Sequence, residues 1–151
     1  MANEIHIDYA AGNTLYAVIR DVQGKVWYPA NQVFESWGAN ERDADDYDIV
    51  MVDKSGSRYT GSFDSNVPAG RYSVQIFLQA GANPADTDVV VGGTPVRWSG
   101  TGQITTDKVL VNKAVQEKST GAIQYYDDDD QTILLTLMPN DTQTEITRTV
   151  S

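Results

Sequence analysis

One alternating stretch, residues 71–79, constrains the fold of this chain more than any other feature. Apolar and polar side chains alternate along most of it, which is the period-two pattern of a half-buried β-strand. Pro68 and Gly70 come directly before it and favour a reversal of the chain. We therefore expect residues 59–81 to form two strands joined by a turn at the centre of a β-sandwich. The side chains predicted to share one face are Tyr72, Val74, Ile76 and Leu78, with Arg71, Ser73, Gln75, Phe77 and Gln79 on the other.

Short β-rich segments recur about every ten residues up to residue 105, with Gly, Pro, Asn and Asp between them. This spacing is typical of a sandwich or a barrel rather than of alternating β/α units. We count seven or eight strands, and residues 31–37 fit a short strand or a helical turn equally well. The predicted strands are 4–9, 14–21, 25–28, 49–53, 59–63, 71–78, 89–91 and 96–98, with an acidic loop at 41–48 and glycine turns at 92–93 and 100–102.

The character of the chain changes after residue 105, so we divide it into a sandwich domain (1–105), a connecting segment (106–121) and a C-terminal β arm (122–151). The connecting segment contains good helix formers but a poor apolar stripe, so a short helix and an extended linker both stay open. The arm reads as a hairpin with an acidic tip, a turn at 139–141 and a final strand. Three strands are too few to bury their own apolar face. We therefore expect the arm to pack on the sandwich or on another subunit.

The composition excludes several classes of protein. The formal net charge is −10, from 21 acidic and 11 basic residues, so nucleic acid and anionic membrane surfaces would repel most of the molecule. With no cysteine, neither a disulfide nor a thiolate metal site is available. We see no signal peptide after Met1 and no apolar run near the roughly 20 residues that span a bilayer. We expect a soluble protein made in a cytoplasm.

No set of residues predicts catalysis. His6 is the only histidine and lies on the polar face of a predicted strand, so we expect a surface residue rather than a zinc ligand or a triad member. The four aspartates at 127–130 lack the alternation and the glycine of a calcium loop, and we expect a solvated turn. We predict no enzyme, no cofactor and no metal. One alternative is a cation held between that cluster and a second one across an interface, the second being Asp43, Asp45, Asp46 and Asp48.

The aromatic residues suggest both core and surface roles. We expect Trp98 and Trp27 to fill the core. Trp37 follows a mixed segment and precedes an acidic one, so we predict an exposed anchor there, together with Tyr28. Exposed aromatic rings of this kind stack on sugars or anchor protein interfaces.

Two stretches resemble small structural proteins of tailed bacteriophages and prophages. They are TLYAVIRD with KVW, within 14–27, and YYDDDDQTILLT at 125–136, where Asp130 replaces the glycine of the Tyr-Asp-Asp-Asp-Gly turn seen in such proteins. Residues 59–76 are also similar to the Tyr-x-Gly-x-Phe…Pro-x-Gly-x-Tyr pattern of Ig-like domains. The resemblance implies an all-β fold, an Ig-like or jelly-roll-related antiparallel β-sandwich with a C-terminal β-hairpin arm.

The resemblance implies a non-enzymatic component of a phage particle, in its neck, tail, fibre or capsid decoration. Such a protein would be made in the host cytoplasm, reside in the virion, form homo-oligomers and bind other virion proteins through its arm. The alternative is a carbohydrate-binding or adhesin module, calcium-assisted, that holds a glycan at Trp37 and Tyr28. The residues predicted at the assembly interface are Tyr125, Tyr126, Ile133, Leu135, Leu137 and Ile146.

Overall fold

The computed structural model describes the backbone of residues 4–141 and 146–150 and the side chains of residues 4–140. It confirms the predicted fold class. The protein is mostly β, with 44% of residues in strands and 9% in helices, and its antiparallel sheets form a sandwich-like arrangement.

Thirteen strands, two short α-helices and one 3₁₀ helix (Ala39–Glu41) make up the described structure. The main sheet has the order β4-β3-β2-β8-β9, with β5 pairing with β2 beside that path. A smaller sheet has the order β1-β7-β6, and the C-terminal sheet has the order β10-β11-β12-β13. The elements are β1 (Ile5–Asp8), β2 (Leu15–Asp21), β3 (Val26–Tyr28), β4 (Val33–Glu35), α1 (Ala44–Tyr47), β5 (Ile49–Val50), β6 (Val52–Asp53), β7 (Arg58–Gly61), β8 (Gly70–Leu78), β9 (Val89–Trp98), α2 (Thr106–Val111), β10 (Ala114–Gln116), β11 (Ile123–Tyr126), β12 (Ile133–Asp141) and β13 (Ile146–Val150).

Strand β8 lies at the centre of the main sheet, as its alternation predicts. It pairs with β2 from Leu15↔Leu78 to Asp21↔Tyr72 and with β9 along its whole length. Its predicted inward residues all contribute to the larger core cluster, where Val74 and Ile76 are buried. Trp27 and Trp98 are buried there too, which confirms their predicted place. Strands β7 and β8 belong to different sheets, so the Pro68–Gly70 connection carries the chain across the sandwich.

The other face of β8 is also covered, which the sequence pattern did not show. Phe77 lies on that face and packs in a second core cluster with Tyr16, Val18 and Tyr47. The covering element is α1, which lies inside the stretch predicted as an acidic loop. That prediction is wrong in this respect because Asp43 forms a capping box with Asp46, which satisfies free backbone N–H groups at the start of the helix. Two of the aspartates predicted to lie in a loop therefore cap a helix instead.

Three further expectations need correction. Residues 89–98 form one strand, and Gly92 and Gly93 lie inside it instead of in a turn. Residues 49–53 split into β5 and β6, which join different sheets. With these changes nine strands precede residue 105 rather than seven or eight. The ambiguous segment 31–37 contains a strand, β4, paired with β3.

The connecting segment and the arm also differ from expectation. Segment 106–121 contains both a helix, α2, and a strand, β10, and β10 joins β11 to make the C-terminal sheet four-stranded. The turn predicted at 139–141 is wrong because those residues continue β12 and pair with β13. Pro139 fits there because pairing with β11 ends at Leu137, so Pro139 has a strand partner on one side only.

Gly93 tests the close packing inside β9. A Cβ atom at Gly93 would lie 2.7 Å from the carbonyl oxygen of Val74, a backbone atom that cannot move away without distorting β8. We expect Gly93→Ala to lower the free energy of unfolding by about 2 kcal/mol, as overpacking does. The measurement is the denaturant midpoint.

Gly92→Ala is the matched control for that test. A Cβ atom at Gly92 would meet the Cδ1 methyl of Ile7, the end of a flexible side chain that can change rotamer. We expect a clearly smaller loss of stability. Equal losses for the two variants would contradict the proposed role of the Val74 carbonyl.

Candidate functional site

The C-terminal sheet carries an apolar face that forms no core of its own. Cross-strand partners lie on the same side of a sheet, so the pairs Ile123↔Leu137 and Tyr125↔Leu135 share one face. Ile133 is not assigned to that face, because the register shift pairs it with Tyr126, the next residue of β11. We call these four residues the apolar face. Neither core cluster includes any of them.

The sheet is held against the end of the sandwich at one point. Leu134 and Leu135 lie at the register shift of β12, where the regular alternation is interrupted, and both are buried. Together with Trp98 and Ile104 they line a cavity of about 350 Å³ between the sandwich and the sheet. Three of the predicted interface residues, Tyr125, Leu135 and Leu137, are thus on one face, which is buried near Leu135, and Ile133 beside it is 42% exposed.

Tyr126 and Ile146 lie apart from that group. A register shift between Tyr125 and Tyr126 pairs Tyr126 with Ile133 out of the regular alternation, and Lys113 lies over the Tyr126 ring at 4.4 Å. Ile146 pairs with Asp141 at the far end of the sheet, and its side chain is outside the described residues.

Among the described residues, five of the eleven exposed large apolar side chains lie in α2 and the C-terminal sheet, and the other six lie in the sandwich. Leu110 and Val111 at the end of α2 are 75% and 78% exposed. Val115 in β10 and Met138 in β12 are 40% and 39% exposed. The first three were not predicted, because residues 106–121 read as a linker or a helix, although the run from 109 to 115 holds four large apolar residues. Leu110 and Val111 come just before β10 in the chain and Val115 lies within it, and β10 is an edge strand of the C-terminal sheet.

Strand β10 forms that edge, and its hydrogen bonding shows which groups are free to pair. The amides of Tyr126 and Glu117 donate to the carbonyls of Lys113 and Ala122, so 113, 115 and 117 are the positions that bond to β11. The N–H and C=O groups of Ala114 and Gln116 consequently point away from the sheet. All three residues of β10 are exposed. The edge is therefore available for an added strand.

The acidic tip between β11 and β12 is an ordered turn. Asp127 is buried, and its Oδ1 accepts from the Lys108 ammonium at 2.5 Å and from the Asp128 amide at 2.8 Å. Asp129 accepts from the amides of Gln131 and Thr132 and from the Thr132 hydroxyl. These hydrogen bonds, the Thr132 hydroxyl first, lower the pKa of Asp129 to about 2. The carboxylates of Asp127 and Asp129 thus hold the turn of the tip in place by accepting hydrogen bonds.

Trp37 and Tyr28, the predicted exposed anchors, are half-buried and pack against the second core cluster. The Arg20 guanidinium lies 4.8 Å from the centre of the Trp37 ring, and the Arg42 guanidinium lies 4.0 Å from that of Tyr28. One face of each ring is therefore occupied by a cation, and less of each is open to a ligand than an exposed anchor offers. Binding of a glycan at this pair stays a prediction.

The acidic clusters do not form a metal site within the described residues. Across the part of the chain that is described, no group of three or more His, Asp or Glu side chains is arranged to hold a metal ion. Within residues 4–141 and 146–150, no helix has the length and apolar character needed to cross a membrane. A cation shared between clusters of two subunits stays a prediction. His6 is exposed in β1.

No protein-family model, no curated protein and no solved structure matches this chain. The resemblance to tailed-phage proteins accordingly stays a prediction.

The Asp129 carboxylate predicts a pH dependence. Its pKa is lower in the folded protein than the usual 3.8, so its ionised form stabilises the fold above about pH 4 and this contribution disappears as the pH falls toward 2. We expect Asp129→Asn to be less stable than the parent chain at pH 7 and the difference to shrink over that interval. Urea unfolding between pH 7 and pH 2 measures it. Asp130→Asn, which removes a neighbouring carboxylate that has no side-chain partner in the described structure, is the matched control for the loss of one charge at the tip.

The Lys108–Asp127 ion pair predicts a second effect. Both side chains are largely buried, at 23% and 12% exposure, so removing the cation leaves a buried carboxylate without its counter-ion. We expect Lys108→Met to destabilise the C-terminal sheet by about 2 kcal/mol. The double variant Lys108→Met with Asp127→Asn should recover most of that loss. Hydrogen exchange of the β11 and β12 amides gives the readout, and a single variant as stable as the parent would contradict this role.

Proposed function

We propose that this protein is a non-enzymatic structural component of a tailed-phage particle, which assembles through the open edge and apolar face of its C-terminal sheet. The observation that carries the proposal is the β10 edge. Ala114 and Gln116 present unpaired backbone groups, and the exposed side chains of Leu110, Val111 and Val115 surround them. A neighbouring strand that pairs with this edge gains main-chain hydrogen bonds and covers apolar surface at once.

The connection of the sheet to the rest of the protein supports this role. Its buried residues Ala122, Leu134 and Leu135 belong to neither core cluster, so the sheet has little apolar packing of its own. A partner that covers Ile133 and Met138 would supply packing that the single chain does not. The sandwich, by contrast, contains both core clusters.

The geometry of the acidic tip supports the link to phage proteins. Asp130 has a φ of 57°, in the left-handed region that glycine adopts without strain. Tailed-phage proteins of the resembled type carry glycine at this position of their Tyr-Asp-Asp-Asp-Gly turn. The backbone of Asp130 therefore has the conformation that glycine would adopt in such a turn. Aspartate is among the few other residues that tolerate a positive φ.

The test compares two proline variants of β10. Proline removes a backbone N–H. At Ala114 that group points outward, so Ala114→Pro should reduce self-association, and association with virion components, by at least about tenfold. The hydrogen bonds that join β10 to β11 at the neighbouring positions 113 and 115 stay intact. Light scattering across a concentration series measures the native mass.

Val115→Pro is the control, because its amide points inward and the substitution should loosen β10 itself. Thermal unfolding checks that Ala114→Pro keeps the stability of the parent chain. A parent chain that stays monomeric at high concentration and binds no virion component would contradict the proposal, and so would an Ala114→Pro variant that assembles normally.

A further inference from the structure

Two arginines lie side by side where the main sheet meets the C-terminal sheet. Arg71 in β8 and Arg97 in β9 are direct cross-strand partners, so their side chains leave the sheet on the same face. Like charges placed in this way repel each other and destabilise the sheet. A protein with a net charge of −10 has many carboxylates that could neutralise them. Among the described side chains, none forms an ion pair with Arg71 or Arg97.

The other described arginines all have partners. Arg42 and Arg58 form ion pairs with Glu35 and Asp8, and Arg20 donates to the side chain of Gln75. Within the described residues, neither Arg71 nor Arg97 has an ion pair, a side-chain hydrogen bond or a ring contact. Both guanidinium groups are therefore available to an external anion.

Asp21, the carboxylate that lines a neighbouring cavity together with Arg71, is already engaged. Its Oδ1 accepts from the amides of Gln23 and Lys25 in the β2–β3 turn, at 2.9 and 2.8 Å. It forms no ion pair with Arg71 among the described residues. Asp21 therefore does not act as a counter-ion for Arg71 in the described structure.

Both arginines line the cavity at the junction of sandwich and sheet. Its remaining wall is largely apolar and includes Ile104, Leu134 and Leu135, and its volume is about 350 Å³. A ligand that fits this chemistry combines carboxylates for the guanidinium groups with an apolar portion for the wall. Guanidinium groups bind carboxylates through paired, charge-assisted hydrogen bonds.

We propose that this cavity receives the acidic tip, residues 127–130, of a second copy of the chain. The tip has the required chemistry. Asp128 has a side chain 73% exposed, Asp130 is exposed and without a side-chain partner in the described structure, and the partly exposed Ile133 follows them along the hairpin. The tip is also preorganised by the hydrogen bonds of Asp129, so its docking costs little conformational entropy.

The proposal resolves an electrostatic difficulty of self-association. Copies that each carry a charge of −10 repel one another unless contacts pair opposite charges. Tip and cavity are different surfaces, so their contact is either made twice in a two-fold dimer or repeated around a ring or along a filament. The inference rests on the proposed function in that it names a contact between the same assembling copies, but it uses a different surface from the β10 edge.

The first test needs no assembly. A synthetic peptide of residues 125–132 is titrated into dilute, monomeric full-length protein by calorimetry, beside a peptide in which asparagine replaces all four aspartates. We expect the acidic peptide to bind at least about tenfold more tightly than the asparagine peptide. Arg71→Gln with Arg97→Gln should abolish the difference. Arg58→Gln with Arg42→Gln, which removes the same charge elsewhere, should leave it unchanged. Equal binding of the two peptides, or binding that survives loss of Arg71 and Arg97, would overturn the inference.

The second test identifies the occupant. Arg97→Glu and Asp128→Lys should each weaken self-association of the full chain about tenfold or more, and the chain carrying both substitutions should regain it. If Ala114→Pro prevents assembly while the charge variants assemble normally, the proposed function stands and this inference fails. If the peptide binds but charge reversal never restores association, a second copy is not the occupant.

Discussion

The pairing of β2 with β8 is the interaction on which the rest of this structure depends. Seven consecutive residue pairs join the two strands, and apolar side chains cover both of their faces. Two-sided burial makes the register rigid, because a slip by one residue would exchange the contents of the two core clusters. On one side the smaller sheet closes the sandwich, and on the other α1 and Trp37 cover the ring of Phe77. Strand β9 pairs with β8 on the side away from β2, and the C-terminal sheet follows β9 and α2 in the chain.

The C-terminal sheet is held to the rest of the protein in a different way. It is attached through two buried leucines and one largely buried ion pair, Lys108 with Asp127, rather than through a core. Its edge and part of its apolar face remain open. Its acidic tip and the two arginines at the junction carry opposite charges, and neither arginine has an ion-pair partner among the described residues. Stability is thus concentrated in the sandwich, and the surfaces proposed for association are concentrated in the sheet and at its junction.

Much of this fold follows from short-range patterns. Alternation along β8 correctly predicted its inward side chains, and the turn residues correctly predicted an all-β chain. Long-range effects were not readable. Asp43 and Asp46 look like loop residues until a helix places them as caps, and Gly92 and Gly93 look like a turn until pairing with β8 places them inside a strand. The neighbouring positions of Arg71 and Arg97 depend on the β8–β9 register, which no local pattern gives.

The most direct test of the account is hydrogen exchange at the three amides of β10 as a function of protein concentration. The Val115 amide bonds to β11 and should be protected in the monomer and in the assembly alike. The amides of Ala114 and Gln116 face outward, so they should exchange freely in dilute solution and become protected as the chains associate. Assemblies in which these two amides still exchange freely would contradict the claim that the protein assembles through the edge of its C-terminal sheet.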